Sequence, residues 1–136
     1  MECMRIFLDA NTFISGILFK GKEHTLLTKN TTIVFITSED VLDEIKKAVN
    51  QKFPESTALV EVFLSMLTLT IVKQKDYINS IDQHSNVRDK NDRHILAAAI
   101  QAKAEYIVTG DKDLLSLKKY KTITILPTRT MLSLLQ

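Results

Sequence analysis

Short apolar runs alternate along the chain with stretches in which apolar residues recur every three or four positions. Runs rich in valine, isoleucine and phenylalanine predict strands at 6–9, 32–37, 69–72, 105–110 and 122–126. The stretches between them predict helices at 11–19, 24–30, 39–51, 55–67, 76–83, 92–103, 112–117 and 128–135. Strands that alternate with helices are joined by crossover connections. The pattern therefore predicts an α/β fold, a three-layer α/β/α sandwich with a central parallel sheet of about five strands.

The composition is that of an ordinary globular domain. Of the 136 residues, 45% are hydrophobic and 25% are charged, and glycine and proline are too rare to mark a linker. We expect residues 1–136 to form a single domain. The apolar runs are shorter than the roughly 20 residues of a membrane-spanning helix, so no membrane association is expected. A single cysteine, Cys3, and an N-terminus unlike a signal peptide predict a reducing, cytoplasmic setting.

Two aspartates stand where a predicted strand gives way to a predicted helix. Asp9 ends the run IFLD, and Asp111 follows the strand at 105–110 and precedes the helix at 112–117. Aspartate is a frequent N-cap, so capping alone can explain both positions. The carboxyl ends of parallel strands are also the edge at which open α/β sheets bind ligands. Each aspartate is therefore either a helix cap or part of a binding site.

Two further acids belong to predicted helices. Asp92 opens the helix DRHILAAAIQAKA at the start of the apolar stripe that faces the sheet, whereas His94 points away. Glu44 lies inside the helix at 39–51, where capping cannot explain it. A helical wheel places Glu44 at the edge of the apolar face, near Val41 and Ala48. Such a boundary glutamate is usually amphipathic packing, so its interest depends on the other acids.

Together, these acids predict a metal site at one edge of the sheet. In a parallel sheet the three aspartates would converge with Glu44 on the same crevice. Neighbouring carboxylates raise one another's pKa and cost stability unless a cation neutralises them. An all-oxygen ligand set without cysteine or paired histidines favours Mg²⁺ or Mn²⁺ over zinc. Such an ion activates water and orients a phosphodiester, with Asn11 and Ser15 as supporting hydrogen-bonding groups.

Four segments resemble the acidic motifs of the PIN domain family: DANTFIS at 9–15, VLDEI at 41–45, DRHILAAA at 92–99 and TGDKDLL at 109–115. They occur in the family's order, and the resemblance extends over about residues 5–127. It implies a parallel sheet and a metal-dependent endoribonuclease. The resemblance marks as catalytic and metal-binding Asp9, Glu44, Asp92 and Asp111. It marks as additional polar or acidic residues of the site Asn11, Thr109, Asp89 and Asp113.

The short form of the chain resembles the toxin components of VapC-type toxin-antitoxin systems. This resemblance implies an RNA substrate and a cognate antitoxin as partner. It leaves open a PIN-type RNA-processing nuclease without an antitoxin, and a catalytically inactive interaction module. The same resemblance, together with the apolar stretches VEVFLSMLTL and TMLSLLQ, predicts a homodimer.

Two other enzyme classes place an aspartate after the first strand. A phosphatase of the haloacid dehalogenase type needs a second aspartate two positions later, where this chain has Asn11. A phosphoacceptor domain of the response-regulator type needs paired acids after the first strand and an aspartate after a middle strand, which the segment FITSED does not offer. Both classes fit the sequence less well than a metal-dependent nuclease.

Positive charge is concentrated towards the end of the chain, although the formal net charge is only +2. Between Lys103 and Arg129 there are six basic residues and three acidic ones. A basic surface suits a phosphate-rich ligand, since lysines release counterions from phosphates on binding. A solvated lysine face is the simpler alternative. The residues predicted to contact RNA are Lys112, Lys118, Lys119 and Lys121.

Overall fold

The alternation of strands and helices produces a mostly parallel sheet with helices packed against it. The computed structural model describes residues 3–29, 32–84, 87 and 90–136, with Asn91 described by its backbone alone. Within this part of the chain, the strands are β1 (Met4–Leu8), β2 (Ile33–Ser38), β3 (Leu69–Val72), β4 (Tyr106–Val108), β5 (Lys119–Tyr120) and β6 (Ile123–Leu126). Their order in the sheet is β3-β2-β1-β4-β6-β5, and every neighbouring pair is parallel except β5 with β6.

The α-helices are α1 (Ala10–Leu18), α2 (Lys22–Leu27), α3 (Glu39–Lys52), α4 (Thr57–Met66), α5 (Gln74–Tyr77), α6 (Lys90–Gln101), α7 (Lys112–Leu117) and α8 (Thr128–Leu134). Short 3₁₀ helices cover Pro54–Ser56 and Ile78–His84. Helices α1, α2, α3, α4 and α8 contact one another, whereas α5, α6 and the second 3₁₀ helix form a separate group. None of the helices in the described ranges has the length and apolarity that crossing a membrane requires.

The predicted three-layer α/β/α architecture is confirmed, and all five predicted strands are present. The structure adds β5, a two-residue strand that pairs with β6 in an antiparallel hairpin. The pair Lys119 and Tyr120 is too short and too polar to show a strand pattern in the sequence. The helix predicted at 76–83 is instead the short α5 followed by a 3₁₀ segment.

The register of the central strands determines which loops meet. Leu8 at the end of β1 pairs with Val108 at the end of β4, which in turn pairs with Leu126 at the end of β6. All three residues are buried, so the apolar core extends to this edge. The next residue of β1 is Asp9 and the next of β4 is Thr109. The two lie side by side at the carboxyl edge of the sheet.

Candidate active site

Asp9 forms the corner between β1 and α1 and is the N-cap of that helix. Its Oδ1 accepts hydrogen bonds from the backbone N of Thr12 at 2.9 Å and from Thr12 Oγ1 at 2.6 Å, and its Oδ2 accepts one from the Thr109 hydroxyl. The residue is only 8% exposed. A carboxylate offers about four lone-pair positions, so one on Oδ2 is still available. Capping and metal binding by Asp9 are therefore compatible.

The corner between β4 and α7 repeats this arrangement beside it. Asp111 caps α7, because its Oδ1 accepts a hydrogen bond from the backbone N of Leu114 at 3.0 Å. The backbone N of Asp111 donates to Thr109 Oγ1, also at 3.0 Å. Thr109 thus connects the two corners, since its hydroxyl also donates to Asp9. Asp111 differs from Asp9 in being exposed.

All four acids predicted to bind metal line one cavity. This cavity has a volume of about 370 Å³ and lies at the carboxyl edge of the sheet, lined by Asp9, Ala10, Asn11, Glu44, Asp92, Ile95, Gly110, Asp111 and Leu114. Asp92 belongs to the first turn of α6 and is buried, as expected for the start of the apolar stripe. Glu44 lies in the middle of α3 at the exposed rim of the cavity.

The surroundings of Glu44 raise the pKa of its carboxyl. Desolvation by burial is the largest cause that raises the pKa of its carboxyl above the ordinary value of 4.5, although the residue as a whole is exposed. The negative charges of Asp9 and Asp40 raise the pKa further, whereas His94 and Lys47 act in the opposite direction. The charge of Asp9 therefore reaches Glu44 across the cavity that both side chains line.

Three aspartates approach one another closely enough to share a cation. Asp92, Asp111 and Asp113 each place one carboxylate oxygen within 4.8 Å of the other two. Asp113 thus belongs to the group that could share an ion, whereas Asp9 and Glu44 line the cavity without belonging to this group. The donor atoms are all carboxylate oxygens, and the cavity lining includes no histidine or cysteine among the residues that the structure describes. This donor set fits Mg²⁺ or Mn²⁺ better than zinc.

The predicted supporting residues divide between two cavities. Asn11 lines both the acid cavity and a neighbouring cavity of about 420 Å³. Ser15 lines only the neighbouring cavity, where its hydroxyl donates to Glu23 Oε1 at 3.2 Å. Ser15 is therefore not among the groups that surround the acids. Asp89 lies outside the described residues.

The predicted RNA-binding lysines do not form one patch. Lys112 is the first residue of α7 and follows Asp111, so it lies at the acidic edge. Lys121 belongs to the turn between β5 and β6 and lines a cavity with Lys103 and Glu105, next to the first residues of β4 and β6. This is the opposite end of the sheet. Lys118 and Lys119 lie between them, at the end of α7 and in β5.

A hydrogen-bonded group beside Glu44 was not predicted. Asp40 Oδ2 accepts hydrogen bonds from the Tyr77 hydroxyl at 2.5 Å and from His94 Nδ1 at 3.1 Å. Asp40 precedes Glu44 by one helical turn, and His94 lies one turn before Ala98 on α6. The spacing of Asp40 and Glu44 was a possible signal in the sequence, because residues four apart share a helix face. The contact with Tyr77 spans 37 positions and carries no local signal.

The fold and the acidic residues at the carboxyl edge of its sheet agree with the result of a comparison with known protein families. The family model described as PIN domain matches residues 5–113, so the chain belongs to the PIN domain family. An uncharacterized protein of Methanocaldococcus jannaschii is 31% identical over 120 residues, which cover 85% of this chain and 76% of that protein. Because the chain belongs to the PIN domain family, a nuclease is favoured over the phosphatase and phosphoacceptor alternatives.

Solved structures with the same fold come from bacterial proteins. One of these structures is VapBC2 from Rickettsia felis, bound to a DNA fragment from the VapBC2 promoter. A chain of it has a TM-score of 0.61 and 21% identity, and the match covers 90% of this chain and 97% of that one. Mycobacterium tuberculosis VapC20, a sarcin-ricin loop cleaving toxin, has a TM-score of 0.58 and 16% identity, covering 88% and 98%. FitAcB from Neisseria gonorrhoeae has a TM-score of 0.62 and 15% identity, covering 91% and 98%. At these identities the likeness establishes the fold.

Proposed function

We propose that the protein is a metal-dependent endoribonuclease and the toxin component of a toxin-antitoxin pair. The observation that carries this proposal is the cavity in which Asp9, Glu44, Asp92 and Asp111 meet, in a chain of the PIN domain family. RNA as the substrate is supported by the fold shared with VapC20, which is described as cleaving the sarcin-ricin loop.

The acids have different tasks in this proposal. Asp92, Asp111 and Asp113 hold Mg²⁺ or Mn²⁺, because their oxygens are close enough to share one ion. Asp9 adds negative charge at the buried side of the cavity, where Thr12 and Thr109 fix its carboxylate. The bound ion would supply Lewis acidity towards the phosphodiester and a lower pKa for water.

Glu44 is the acid best suited to accept a proton. It lies at the exposed rim, where water and substrate enter, and burial together with the charges of Asp9 and Asp40 raises its pKa above the ordinary value of 4.5. A base is most effective when its pKa is near the working pH. In this scheme a water oxygen forms a bond to phosphorus while Glu44 takes one proton of that water. The bond between phosphorus and the 3′-oxygen breaks, and a solvent water supplies the proton of the resulting 3′-hydroxyl.

This hydrolysis leaves a 5′-phosphate and a 3′-hydroxyl, since the attacking group is water and not the ribose 2′-hydroxyl. Mass spectrometry of the RNA fragments made by the purified protein identifies the ends directly. Fragments that end in 2′,3′-cyclic phosphate would contradict the mechanism.

The central test combines melting and cleavage. Mn²⁺ at a hundredfold excess over Kd should stabilise the wild type by about 2.7 kcal/mol, which raises Tm by about 10 °C in a domain of this size. Asp92→Asn should lose most of that increment and lower RNA cleavage by at least about 100-fold. Glu61→Gln, which removes an exposed acid on α4 away from the cavity, is the control and should retain both properties. A wild type that neither responds to Mn²⁺ nor cuts RNA refutes the proposal.

A cognate antitoxin is the proposed protein partner, supported by the fold shared with a chain of VapBC2. The gene next to the one for this chain should encode a small DNA-binding protein. Co-purification of that protein with the chain, and loss of RNA cleavage in the complex, would support the pairing. Active enzyme in a stable complex would argue against an inhibitory partner.

A homodimer is proposed from the exposed apolar side chains of α4. Leu59, Val62 and Met66 are 53%, 57% and 79% exposed, although Val60 of the same helix is buried. Light scattering at micromolar concentration should give the mass of two chains. Met66→Lys should shift the mass to that of one chain, and a wild-type monomer would remove the proposal.

A further inference from the structure

The acid cavity is followed along the carboxyl edge of the sheet by the neighbouring cavity of about 420 Å³. Asn11 and Gly110 line both, so the two cavities adjoin at these residues. The neighbouring cavity extends from there to the end of β6, where Pro127 and Thr128 line it. On the basis of the nuclease function proposed above, we propose that it binds the base of the nucleotide next to the scissile phosphate. The Thr128 hydroxyl forms a hydrogen bond with that base, and Lys22 contacts a phosphate beside it.

Thr128 brings a buried hydroxyl to this cavity. It is the first residue of α8, and only 4% of its surface is exposed. Its Oγ1 has no hydrogen-bond partner among the described residues. Thr37 Oγ1 is the one side-chain oxygen or nitrogen in the described ranges that is both enclosed and without a partner, so the Thr128 oxygen reaches the accessible surface. A buried hydroxyl without a partner is unfavourable because its desolvation is not compensated, so a ligand that bonds it gains affinity.

The charged groups of the lining leave one cation available. Lys22 and Glu23, the first two residues of α2, are the charged residues among those that line the neighbouring cavity. Glu23 Oε1 accepts a hydrogen bond from the Ser15 hydroxyl at 3.2 Å. Lys22 is exposed, and no carboxylate of the described residues lies within ion-pairing distance of it. Its ammonium group is thus available to a phosphate.

The remaining lining is uncharged and suits a nucleobase. Asn11 offers amide donors and an acceptor, and Thr128 offers a hydroxyl that can donate or accept. Leu115 and Pro127 add apolar surface for the face of a ring. Proteins that bind single-stranded or looped RNA hydrogen-bond the edges of its unstacked bases. The volume of about 420 Å³ lies in the range of sites that hold small ligands, so size and lining fit one base.

Gly16 and Gly110 affect the shape of the neighbouring cavity in different ways. A Cβ at Gly16 would lie 2.5 Å from Leu27 Cδ1 and 3.0 Å from the backbone oxygen of Glu23, so the glycine allows α2 to pack closely on α1. This contact fixes the wall that carries Lys22. A Cβ at Gly110 would meet nothing within 4 Å, and no glycine in the described ranges has a positive φ. Neither packing nor backbone conformation requires Gly110, whereas a side chain there would narrow the place where the two cavities adjoin.

Thr128→Val separates a contact with RNA from a role in folding. Valine keeps the shape of threonine, and the hydroxyl that it removes bonds no described residue, so the free energy of unfolding in EDTA should be unchanged or higher. Cleavage of a short labelled single-stranded RNA should lose about 5-fold in kcat/KM, the size of one hydrogen bond. Thr37→Val is the control and should leave cleavage unchanged, because Thr37 is equally buried and lines neither cavity. Loss of stability with unchanged cleavage in Thr128→Val would contradict the proposal.

Substitutions in the RNA test whether the partner of Thr128 is a base. The cut is first mapped, and each nucleotide near it is then replaced singly by an abasic one. At one position next to the cut the wild type should lose about 5-fold or more in kcat/KM. Thr128→Val, in which the contact is already absent, should lose about 5-fold less than the wild type at that position. Equal losses in both proteins at every position would mean that Thr128 does not contact a base.

Two lysines provide a matched pair for the phosphate contact. Fluorescence anisotropy in EDTA, where the RNA stays intact, measures binding at several salt concentrations. Lys22→Gln should weaken binding and reduce the salt slope by about 0.7, the value for one phosphate of a single strand. Lys20→Gln should leave both unchanged, because Lys20 is exposed and is not part of the lining. Equal effects of the two substitutions would indicate a general effect of charge and contradict the contact.

The outcomes distinguish this inference from the function on which it rests. If the wild type cuts RNA but Thr128→Val cuts it equally well, the base site is refuted and the nuclease function stands. If the wild type does not cut RNA, both proposals fall.

Discussion

Two corners of the same sheet, one after β1 and one after β4, have the same design and different surroundings. Asp9 and Asp111 each follow a strand, cap a helix and line the acid cavity, and their strands are direct neighbours. Asp9 is buried and accepts three hydrogen bonds, whereas Asp111 is exposed and its side chain accepts one. Asp9 at the β1 corner therefore stabilises the fold as well as lining the cavity. The Asp111 carboxylate at the β4 corner has more lone pairs left for an ion.

The largest expected difference between the corners is in stability. Asp9→Ala removes a cap and leaves the hydroxyls of Thr12 and Thr109 without their acceptor, so it should lower the free energy of unfolding by about 3 kcal/mol. Asp111→Ala removes mainly a cap and should cost about 1 kcal/mol. Urea denaturation in EDTA measures both. Equal losses would mean that the burial of Asp9 has no energetic consequence.

The hydroxyl that connects the corners should contribute less. Thr109→Val keeps the shape but removes the donor to Asp9 and the acceptor for the Asp111 backbone, so we expect a loss of about 1–2 kcal/mol. Thr37 is an equally buried control, since its Oγ1 has no hydrogen-bond partner among the described residues. Thr37→Val should be neutral or stabilising. Similar losses in both variants, again by urea denaturation, would indicate packing and not hydrogen bonding.

The pKa of Glu44 should distinguish the two corners, because the charge of Asp9 raises it and that of Asp111 is not among its causes. Because its pKa is raised in the folded protein, the native state binds more protons than the unfolded state just above pH 4.5, and stability falls as pH rises through that interval. Asp9→Asn should lower the Glu44 titration midpoint, followed by NMR of its carboxyl carbon in EDTA. Asp111 is not among the charges that raise this pKa, so Asp111→Asn should leave the midpoint in place. A larger shift in Asp111→Asn would reverse the assignment.

The smallest expected effect concerns the exposed corner and its substrate. Lys112 follows Asp111, whereas Lys121 lies at the opposite end of the sheet. Lys112→Gln should weaken binding of single-stranded RNA several-fold and reduce its salt dependence, and Lys121→Gln should change neither. Fluorescence anisotropy at several salt concentrations measures both. Equal weakening would show that RNA extends around the molecule to the hairpin.

The order of elements was predictable because it depends on local patterns. Apolar runs and helical periodicity identified the five parallel strands and the layered fold, and the positions of Asp9 and Asp111 after strands indicated both capping and a shared edge. The strand β5 was missed, because two polar residues carry no periodic pattern and pair only when the turn brings them beside β6.

Local sequence patterns were enough to identify the acidic groups and the sheet edge at which they collect, because strand ends and helix starts are local features. How these groups are arranged relative to one another depends on tertiary contacts. The pairing of Leu8 with Val108 brings the Thr109 hydroxyl to Asp9, and the fold places His94 of α6 within hydrogen-bonding distance of Asp40 on α3. The fold also places Lys112 and Lys121 at opposite ends of the sheet, although the two residues are close in the chain. Such contacts depend on strand register and helix packing, which no local pattern encodes.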